Sequence, residues 1–343
     1  MLGDRIFDLA PDGPVDQAPY TPWKLVREYG RAAGLEVMTA DVLLERGIDP
    51  RDAMVISYDW PPSTQVLFDR RARLGVLTSL EPPVIAWELY YRLPRLSALF
   101  PHVYLFRGGE GRTSASTRFH TLYFPQVRTS RVGEEGGRRF LVSITSNKAM
   151  VRSFARWFDR PREVSVRREL AARLYPPIAR DLYLERLRAA AYFARRSDFD
   201  MFGQGWQRRH PAVPRKLHDT ALIAYRGTVA EKLQTLAQYR FCLCFENSRF
   251  AGYVSEKLFD CFFAGTVPIY LGAPDIERYI PPETFIDMRQ FRGYRDLEMF
   301  LQTLSDAEVR RYVEAARDFL HSRAFTPFTA ECFAQQIVEM LTT

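Results

Sequence analysis

A run of charged and polar residues follows an apolar segment in RFCLCFENSRFAGYVSEKLF, at positions 240–259. The apolar segment predicts a buried strand that ends at Phe245, and a short loop then leads to a helix that starts at Ser255. Glu256 and Lys257 would lie in the first turn of this helix, where free backbone N–H groups and the helix dipole favour a phosphate. The loop also carries further polar side chains to the same strand edge, namely Glu246, Asn247 and Tyr253.

The chemistry of this edge depends on two neighbouring residues of opposite charge. Lys257 adds a point charge that suits a diphosphate, whereas Glu256 cannot bind phosphate and suits the paired hydroxyls of a ribose or a sugar ring. The alternative is structural: Ser255 and Glu256 would only cap the helix, and Lys257 would be solvated. The residues by themselves leave both interpretations open.

The elements that must position these residues alternate between apolar runs and amphipathic helices, which predicts parallel strands joined by crossover helices. A helix over 305–320 opens with a capping box formed by Ser305 and Glu308. The predicted fold is therefore α/β, with two Rossmann-like domains at 1–138 and 139–343. The predicted strands are 35–40, 53–60, 74–81, 102–106, 140–147, 197–206, 240–247 and 266–272.

Composition limits the function classes. The 343 residues are 47% hydrophobic with a net charge of +7, which excludes a disordered chain and suits an anionic partner. No long Lys/Arg block occurs, so we expect no nucleic-acid partner. The four cysteines show no CxxC pair and predict free thiols in a reducing compartment. Neither a signal peptide nor a membrane-spanning run is visible, so we expect a cytoplasmic protein with at most weak peripheral membrane association.

The stretch from Tyr239 to Asp287 closely resembles the donor-domain signature of the family 10 fucosyltransferases, the α-1,3/α-1,4 enzymes that use GDP-fucose. That signature runs as YKF-x-x-x-FEN, a short loop, Y-[VI]-[ST]-EK, a helix, a G-x-[VI]-P strand and a later IPP-x-x-FI. The resemblance implies GT-B architecture, in which two Rossmann-like domains face a cleft and the last helices pack back on the N-terminal domain. It also implies inverting transfer of L-fucose from GDP-β-L-fucose to an acceptor glycan, α-1,3 to a GlcNAc- or Glc-type sugar.

The resemblance assigns donor-binding roles to Glu246, Asn247, Tyr253, Glu256 and Lys257, and it extends towards the N-terminus. The segment 181–206 is similar to the bacterial pattern of an LY-x-ER helix before a strand that ends in Gly-x-Gly-[WF], which assigns Arg186 to the diphosphate. Arg186 could instead belong to a solvated arginine-rich face, and Arg152 competes for its role. TSNK at 145–148 matches the family's Ser-Asn loop, which places Asn147 near the nucleotide.

A catalytic base should come from the first domain. Glu81 follows an apolar strand and precedes Pro82 and Pro83, and this segment resembles the family's Leu-Glu-Ser-Pro or Leu-Glu-Pro-Pro, whose glutamate is taken as the base. A loop carboxylate bonded to nearby backbone is the structural alternative. Other candidates for the base are Asp59, Glu88 and Glu110.

Three further expectations complete the prediction. No metal cluster stands out and cations can neutralise the leaving group, so we expect no obligatory cofactor and at most a stimulatory divalent metal. The donor could be another GDP-linked deoxyhexose, or the chain could be a non-catalytic nucleotide-sugar-binding or basic docking protein. The resemblance to bacterial members favours polysaccharide or lipopolysaccharide biosynthesis.

Overall fold

The computed structural model describes residue 7 and residues 20–127, 137–147, 162–209 and 213–343. The chain divides into two compact units. The first comprises Met1–Pro82, Ala86–Arg128 and Thr326–Thr343, and the second comprises Pro83–Ile85 and Thr129–Phe325.

Parallel strands form one sheet in each unit. The strands are β1 Met54–Tyr58, β2 Arg73–Thr78, β3 His102–Leu105, β4 Arg118–Thr121, β5 Arg139–Ile144, β6 Phe199–Phe202, β7 Tyr239–Phe245, β8 Val267–Leu271 and β9 Ile286–Asp287. The helices are α1 Thr21–Ala32, α2 Ala40–Glu45, α3 Pro62–Asp69, α4 Trp87–Leu96, α5 Arg162–Leu174, α6 Tyr183–Phe193, α7 Arg215–Leu222, α8 Lys232–Ala237, α9 Glu256–Ala264, α10 Tyr294–Thr303, α11 Asp306–His321 and α12 Ala330–Thr342.

The sheet of the first unit has the strand order β1-β2-β3-β4, with each neighbouring pair parallel. Tyr58 pairs with Thr78, so the carboxyl ends of β1 and β2 lie side by side. The terminal helix α12 packs on α1, where the rings of Trp23 and Phe333 meet edge to face at 5.4 Å. This packing ties the last residues of the chain to its first described helix.

The sheet of the second unit has the strand order β6-β5-β7-β8-β9, again with parallel neighbours. The chain runs from β5 to β6 on one side and then returns to place β7 on the other side, so the strand order reverses between β5 and β7. Open parallel sheets bind ligands at such a reversal, beyond the carboxyl ends of the strands. The loops after β5 and β7 are therefore the expected ligand-binding edge of this unit.

Local sequence explains the two elements that frame this reversal. β7 is YRFCLCF, which is apolar at almost every position and buried along most of its length, as expected for a central parallel strand. The helix α9 starts after Ser255, which accepts a hydrogen bond from the Lys257 N–H, and ends at Gly265 with φ 67°. A glycine takes this left-handed conformation without steric cost.

Several predictions about secondary structure are confirmed, and one is wrong. The strands expected over 53–60, 74–81, 102–106 and 140–147 are present, as is the capping box of Ser305 and Glu308. The strand expected at 35–40 is absent: residues 35–39 form no regular secondary structure, and α2 begins at Ala40. Alternating apolar residues specify a strand only where a neighbouring strand is available for pairing.

Candidate functional site

Glu246 is the first residue after β7, and it is wholly buried. Its Oε1 accepts a hydrogen bond from the Ser255 N–H at 2.7 Å, and its Oε2 accepts one from the Ser255 hydroxyl at 2.7 Å. Oε2 also lies 3.3 Å from Nζ of Lys257. Glu246 thus holds the start of α9 and its lysine in place, and both of its oxygens are engaged within the protein.

Lys257 lies in the first turn of α9 with its side chain 14% exposed. Its ammonium group donates to the Ser255 hydroxyl at 2.9 Å and lies 3.4 Å from Oε1 of Glu256. Burial opposes the charge on Lys257, but Glu256 and Glu246 outweigh it and raise its pKa. The lysine therefore carries a permanent positive charge at the helix N-terminus.

Glu256 is the more accessible carboxylate of this cluster, with 43% of its side chain exposed. Burial opposes its ionisation, but the ammonium groups of Lys257 and Lys232 overcome this and lower its pKa to about 2. Lys232, at the start of α8, is itself paired with Asp260 at 2.6 Å. Glu256 is therefore an ionised hydrogen-bond acceptor that can meet ligand hydroxyls.

Asn247 and Arg186 meet at the end of β7. Arg186 as a whole residue is 4% exposed, and its guanidinium donates to the Phe245 carbonyl through Nε at 3.1 Å and through Nη2 at 2.6 Å. Nη2 also donates to Oδ1 of Asn247 at 3.1 Å, and the Asn247 amide donates to the Tyr253 hydroxyl at 3.1 Å. Among the described residues, Nη1 of Arg186 makes no hydrogen bond, which leaves this donor for an anion.

Asn147 lies beyond the end of β5 and is 1% exposed. Its amide donates to the Gly205 carbonyl at 3.2 Å, and its Oδ1 has no hydrogen-bond partner within the described ranges. Gly203, at the end of β6, has φ 137°, and a Cβ atom there would lie 1.9 Å from the Thr145 carbonyl oxygen. The glycine at 203 is thus required for the close approach of the loops after β5 and β6.

These residues place two cations and one ionised carboxylate where the strand order of the second unit reverses. Arg186 and Lys257 can neutralise a diphosphate, and the N-terminus of α9 favours the same charge. Glu256 can accept hydrogen bonds from sugar or ribose hydroxyls. The structure therefore places Asn147, Arg186, Asn247, Tyr253, Glu256 and Lys257 at the edge formed by β5 and β7.

Two residues of this edge were not assigned a role from sequence. Ser255 was used only as a helix start, but its hydroxyl connects Glu246 to Lys257. Lys232 stands 25 positions before Lys257 in the sequence, and its charge acts on Glu256. No motif around Lys232 in the sequence indicates that its charge acts on a residue of α9. Arg152, the competitor of Arg186, lies outside the described residues.

Glu81 lies at the carboxyl edge of the first unit, three residues beyond the end of β2. It is half-buried, and its N–H donates to the Ser79 hydroxyl at 3.2 Å. Asp59 lies at the same edge, where its N–H donates to the carbonyl of Thr78, the last residue of β2, at 2.9 Å. The alternative candidates Glu88 and Glu110 are exposed, on α4 and on the turn Arg107–Arg112.

Three kinds of feature are absent from the described residues. No group of three His, Cys, Asp or Glu side chains in these ranges could hold a metal ion. No helix there is long and apolar enough to cross a membrane. The four cysteines form no disulfide within the same ranges, as the sequence predicted.

Comparison with known proteins finds similarities in the second half of the chain. Residues 179–332 match Glycosyltransferase family 10 (fucosyltransferase) C-term. The chain is 34% identical over 100 residues to the Helicobacter pylori alpha-(1,3)-fucosyltransferase FucT, which covers 28% of this chain and 21% of the relative. It is 40% identical over 95 residues to human alpha-(1,3)-fucosyltransferase 7, which covers 27% of this chain and 28% of the relative. The matched part is thus less than a third of each relative.

The fold is also similar to solved structures that share little sequence identity with this chain. A crystal structure of TarM superposes with a TM-score of 0.56 at 9% identity, over 89% of this chain and 57% of that one. This likeness concerns the fold alone. It confirms the predicted fold class, α/β in the GT-B architecture.

Proposed function

We propose that this protein is an inverting glycosyltransferase that moves L-fucose from GDP-β-L-fucose to a hydroxyl of an acceptor glycan, because residues 179–332 match Glycosyltransferase family 10 (fucosyltransferase) C-term. The relatives that match this segment are named fucosyltransferases. The proposed linkage is α-1,3 to a GlcNAc- or Glc-type sugar.

One observation carries the proposal: Arg186 is buried and Lys257 is partly buried, and the partners of both cations hold them at the reversal between β5 and β7. A leaving GDP accumulates negative charge on its diphosphate, and fixed cations lower the energy of that charge. Nη1 of Arg186 and Nζ of Lys257 are the donors proposed for this task. Their positions do not depend on the ligand, because Phe245, Asn247 and Glu246 hold them.

The remaining donor contacts follow from the chemistry of the other side chains. Glu256 is ionised and half-exposed, so we assign it to hydroxyl groups of the ribose or the fucose. Asn147 and Asn247 offer amide groups for the nucleotide, and Tyr253 fixes Asn247 by its hydrogen bond. Glu246 acts indirectly, since its carboxylate is used in orienting Ser255 and Lys257.

Inversion requires the acceptor hydroxyl to attack the anomeric carbon from the face opposite GDP and to lose its proton to a base. We assign this role to Glu81. In the step, the acceptor oxygen forms a bond to the anomeric carbon, the bond from that carbon to the GDP oxygen breaks, and the proton passes to Glu81. GDP leaves with the electron pair of the broken bond.

The direct test combines calorimetry with a transfer assay. GDP and GDP-fucose should both bind to the purified protein, and GDP should be released when a glycan panel that includes N-acetyllactosamine is added. UDP-glucose serves as the control nucleotide sugar. Failure of GDP and GDP-fucose to bind would overturn the proposal.

Two alternatives give different results in the same assay. A different GDP-deoxyhexose would release GDP faster than GDP-fucose does in a donor panel. A non-catalytic binding protein would bind GDP-fucose and release no GDP with any acceptor. Addition of EDTA should leave turnover intact, because Arg186 and Lys257 supply the charge for which a metal would otherwise be needed.

We further propose that the protein acts in the cytoplasm, on precursors of a bacterial polysaccharide or lipopolysaccharide, with weak peripheral membrane association. The net charge of +7 supports attraction to an anionic surface. Flotation with anionic and neutral vesicles would separate this attraction from general lipid binding.

A further inference from the structure

The helix α5, Arg162–Leu174, has two sides of different character. Its inner side packs within the second unit: Ala171 is wholly buried, and Nη2 of Arg168 donates to the Val84 carbonyl at 3.1 Å. The turn Pro176–Ala179 packs against the same helix. One side of α5 is therefore fixed to the protein, and the other side faces solvent.

Two leucines occupy the solvent side of α5. Leu170 is 53% exposed and Leu174 is 63% exposed. Residues four positions apart are neighbours on a helix surface, so the two side chains form one apolar stripe. Ile223 and Met299 are exposed to a similar degree in the second unit, but they lie on different elements, the first directly after α7 and the second on α10. Single exposed apolar residues are normal, whereas contiguous apolar surface is where partners bind.

Arginines flank this leucine stripe on both sides. At 3.6 residues per turn, Leu170 and Leu174 lie between Arg167 and Arg173 around the helix axis. Both arginines are exposed. Arg173 is paired with Glu169 at 3.3 Å, but both side chains of this pair are largely in solvent, where an ion pair contributes little. The solvent side of α5 therefore combines apolar and cationic groups that can meet a partner.

The positive charge continues beyond the helix. Residues 162–180 contain five arginines and two glutamates, so they supply three of the seven net positive charges of the chain. Arg180 and Arg249 are exposed and adjacent, since the Arg249 N–H donates to the Arg180 carbonyl at 3.3 Å. Arg249 follows Asn247 by two residues, so the positive charge extends from α5 towards the edge that carries the proposed donor site.

We propose that the solvent side of α5 is a docking surface for an anionic lipid membrane, in which Leu170 and Leu174 enter the boundary between headgroups and acyl chains while Arg167 and Arg173 contact lipid phosphates. A helix with a leucine stripe and flanking arginines matches both chemical layers of such a membrane. This inference rests on the peripheral membrane association proposed above, and it names the surface responsible.

Two other partners fit this surface less well. A nucleic acid would pair with the arginines through its phosphates and leave the leucines in water. A second copy of this chain, in a two-fold contact through α5, would bring the arginines of the two helices close together. An anionic membrane satisfies both residue types at once.

The leucine stripe is tested by flotation of the purified full chain with vesicles of phosphatidylethanolamine and phosphatidylglycerol. Leu170→Gln with Leu174→Gln should lower the partition coefficient about 10- to 100-fold, because glutamine keeps helix propensity and removes apolar surface. Ile223→Gln with Met299→Gln is the matched control: it removes two equally exposed apolar side chains elsewhere in the second unit, and it should leave flotation unchanged.

The arginines are tested on the same vesicles and on neutral phosphatidylcholine vesicles. Arg167→Gln with Arg173→Gln should weaken binding to the anionic vesicles about 30-fold and leave binding to the neutral vesicles unchanged. Arg310→Gln with Arg317→Gln, at exposed positions of α11, lowers the net charge by the same amount and should change binding less than about 3-fold.

Several outcomes would overturn the inference. Flotation of the leucine variant equal to that of the wild type, or equal losses in the two arginine pairs, would show that α5 is not the docking surface. If sedimentation shows a wild-type dimer that the leucine variant dissociates, the surface is an interface between copies. Binding of a DNA duplex that only the arginine variant at α5 loses, without flotation of the wild type, would assign the surface to nucleic acid.

Failure of this inference differs from failure of the proposed transferase. The Kd for GDP should be the same in all four paired variants, because none of the substituted residues belongs to the proposed donor site. If the wild type binds GDP and transfers fucose but floats with no vesicle, only the membrane role is wrong. If flotation depends on the two leucines but GDP and GDP-fucose do not bind, only the transferase is wrong.

Discussion

The carboxyl edges of the two sheets differ in the charged residues that they carry. The edge of the second unit presents cations, Arg186 and Lys257, whose positions are fixed by buried acceptors. The edge of the first unit presents carboxylates, Asp59 and Glu81, and the Glu81 N–H donates to the buried Ser79 hydroxyl. The same strand-end geometry thus serves two chemical purposes, depending on which charge the loops bring to it.

This difference matches the two tasks of the proposed reaction, one for each edge. Neutralising a leaving diphosphate needs positive charge, and accepting a proton needs a carboxylate. If both were placed on one edge, the cations would lower the basicity of the carboxylate, as Lys257 and Lys232 do to Glu256. In this chain the two cations belong to the second unit and the proposed base belongs to the first.

The largest effect is expected at the first edge. Glu81→Gln should lower turnover about 10²- to 10⁴-fold, because the amide cannot accept the acceptor proton. Calorimetry should show an unchanged affinity for GDP. Glu88→Gln is the matched control for the alternative base and should retain turnover. If it loses as much turnover as Glu81→Gln, the assignment of the base to Glu81 is wrong.

Lys257→Ala should damage the second edge in two ways. It leaves the buried Glu246 carboxylate without its cation, at a cost of about 3 kcal/mol in the free energy of unfolding. It also removes a charged donor, so the Kd for GDP should rise about 10- to 100-fold.

A paired variant separates these two losses. Glu246→Gln with Lys257→Met removes both charges, so it should regain much of the unfolding free energy in urea and none of the GDP affinity. Lys216→Ala, at an exposed position of α7, is the control. Recovery of GDP affinity in the paired variant would show that Lys257 does not bind the diphosphate.

Gly203→Ala tests the close packing between the loop after β6 and the loop after β5, which carries Asn147. The new Cβ would meet the Thr145 carbonyl at 1.9 Å, in a backbone conformation that alanine rarely adopts. We expect a loss of about 2–3 kcal/mol in unfolding free energy and weaker GDP binding. Gly111→Ala has nothing within 4 Å of its added Cβ and should be neutral. Equal effects of the two substitutions would contradict the geometry.

The smallest effect is a pH dependence at Glu256. Its pKa is lowered from 4.5 to about 2 in the folded protein, so its stabilising contribution is complete above pH 4.5 and is lost as the pH falls towards about 2. The difference in unfolding free energy between the wild type and Glu256→Gln should shrink across this window. A difference that stays constant there would mean that the lysines do not stabilise the Glu256 charge.

The sequence by itself determined the strand, loop and helix that carry the second edge. RFCLCFEN predicts a buried central strand, and Ser255 predicts the helix start, because apolar runs and caps are local signals. The motif also placed Glu256 and Lys257 in the first helical turn. The segment 35–39, where the expected strand is absent, shows the limit of such signals, since strand pairing depends on a partner elsewhere in the chain.

Only the tertiary structure decided which acidic residue faces inward and which carries accessible charge. Glu246 and Glu256 are both near the start of α9, but Glu246 is wholly buried against Ser255 and Lys257, whereas Glu256 is half-exposed. The strained backbone conformation of Asp59, with φ +59°, was equally invisible in sequence. The physical reason is the same in each case: burial, and hydrogen bonds between neighbouring strand ends, depend on how the sheet brings distant segments together.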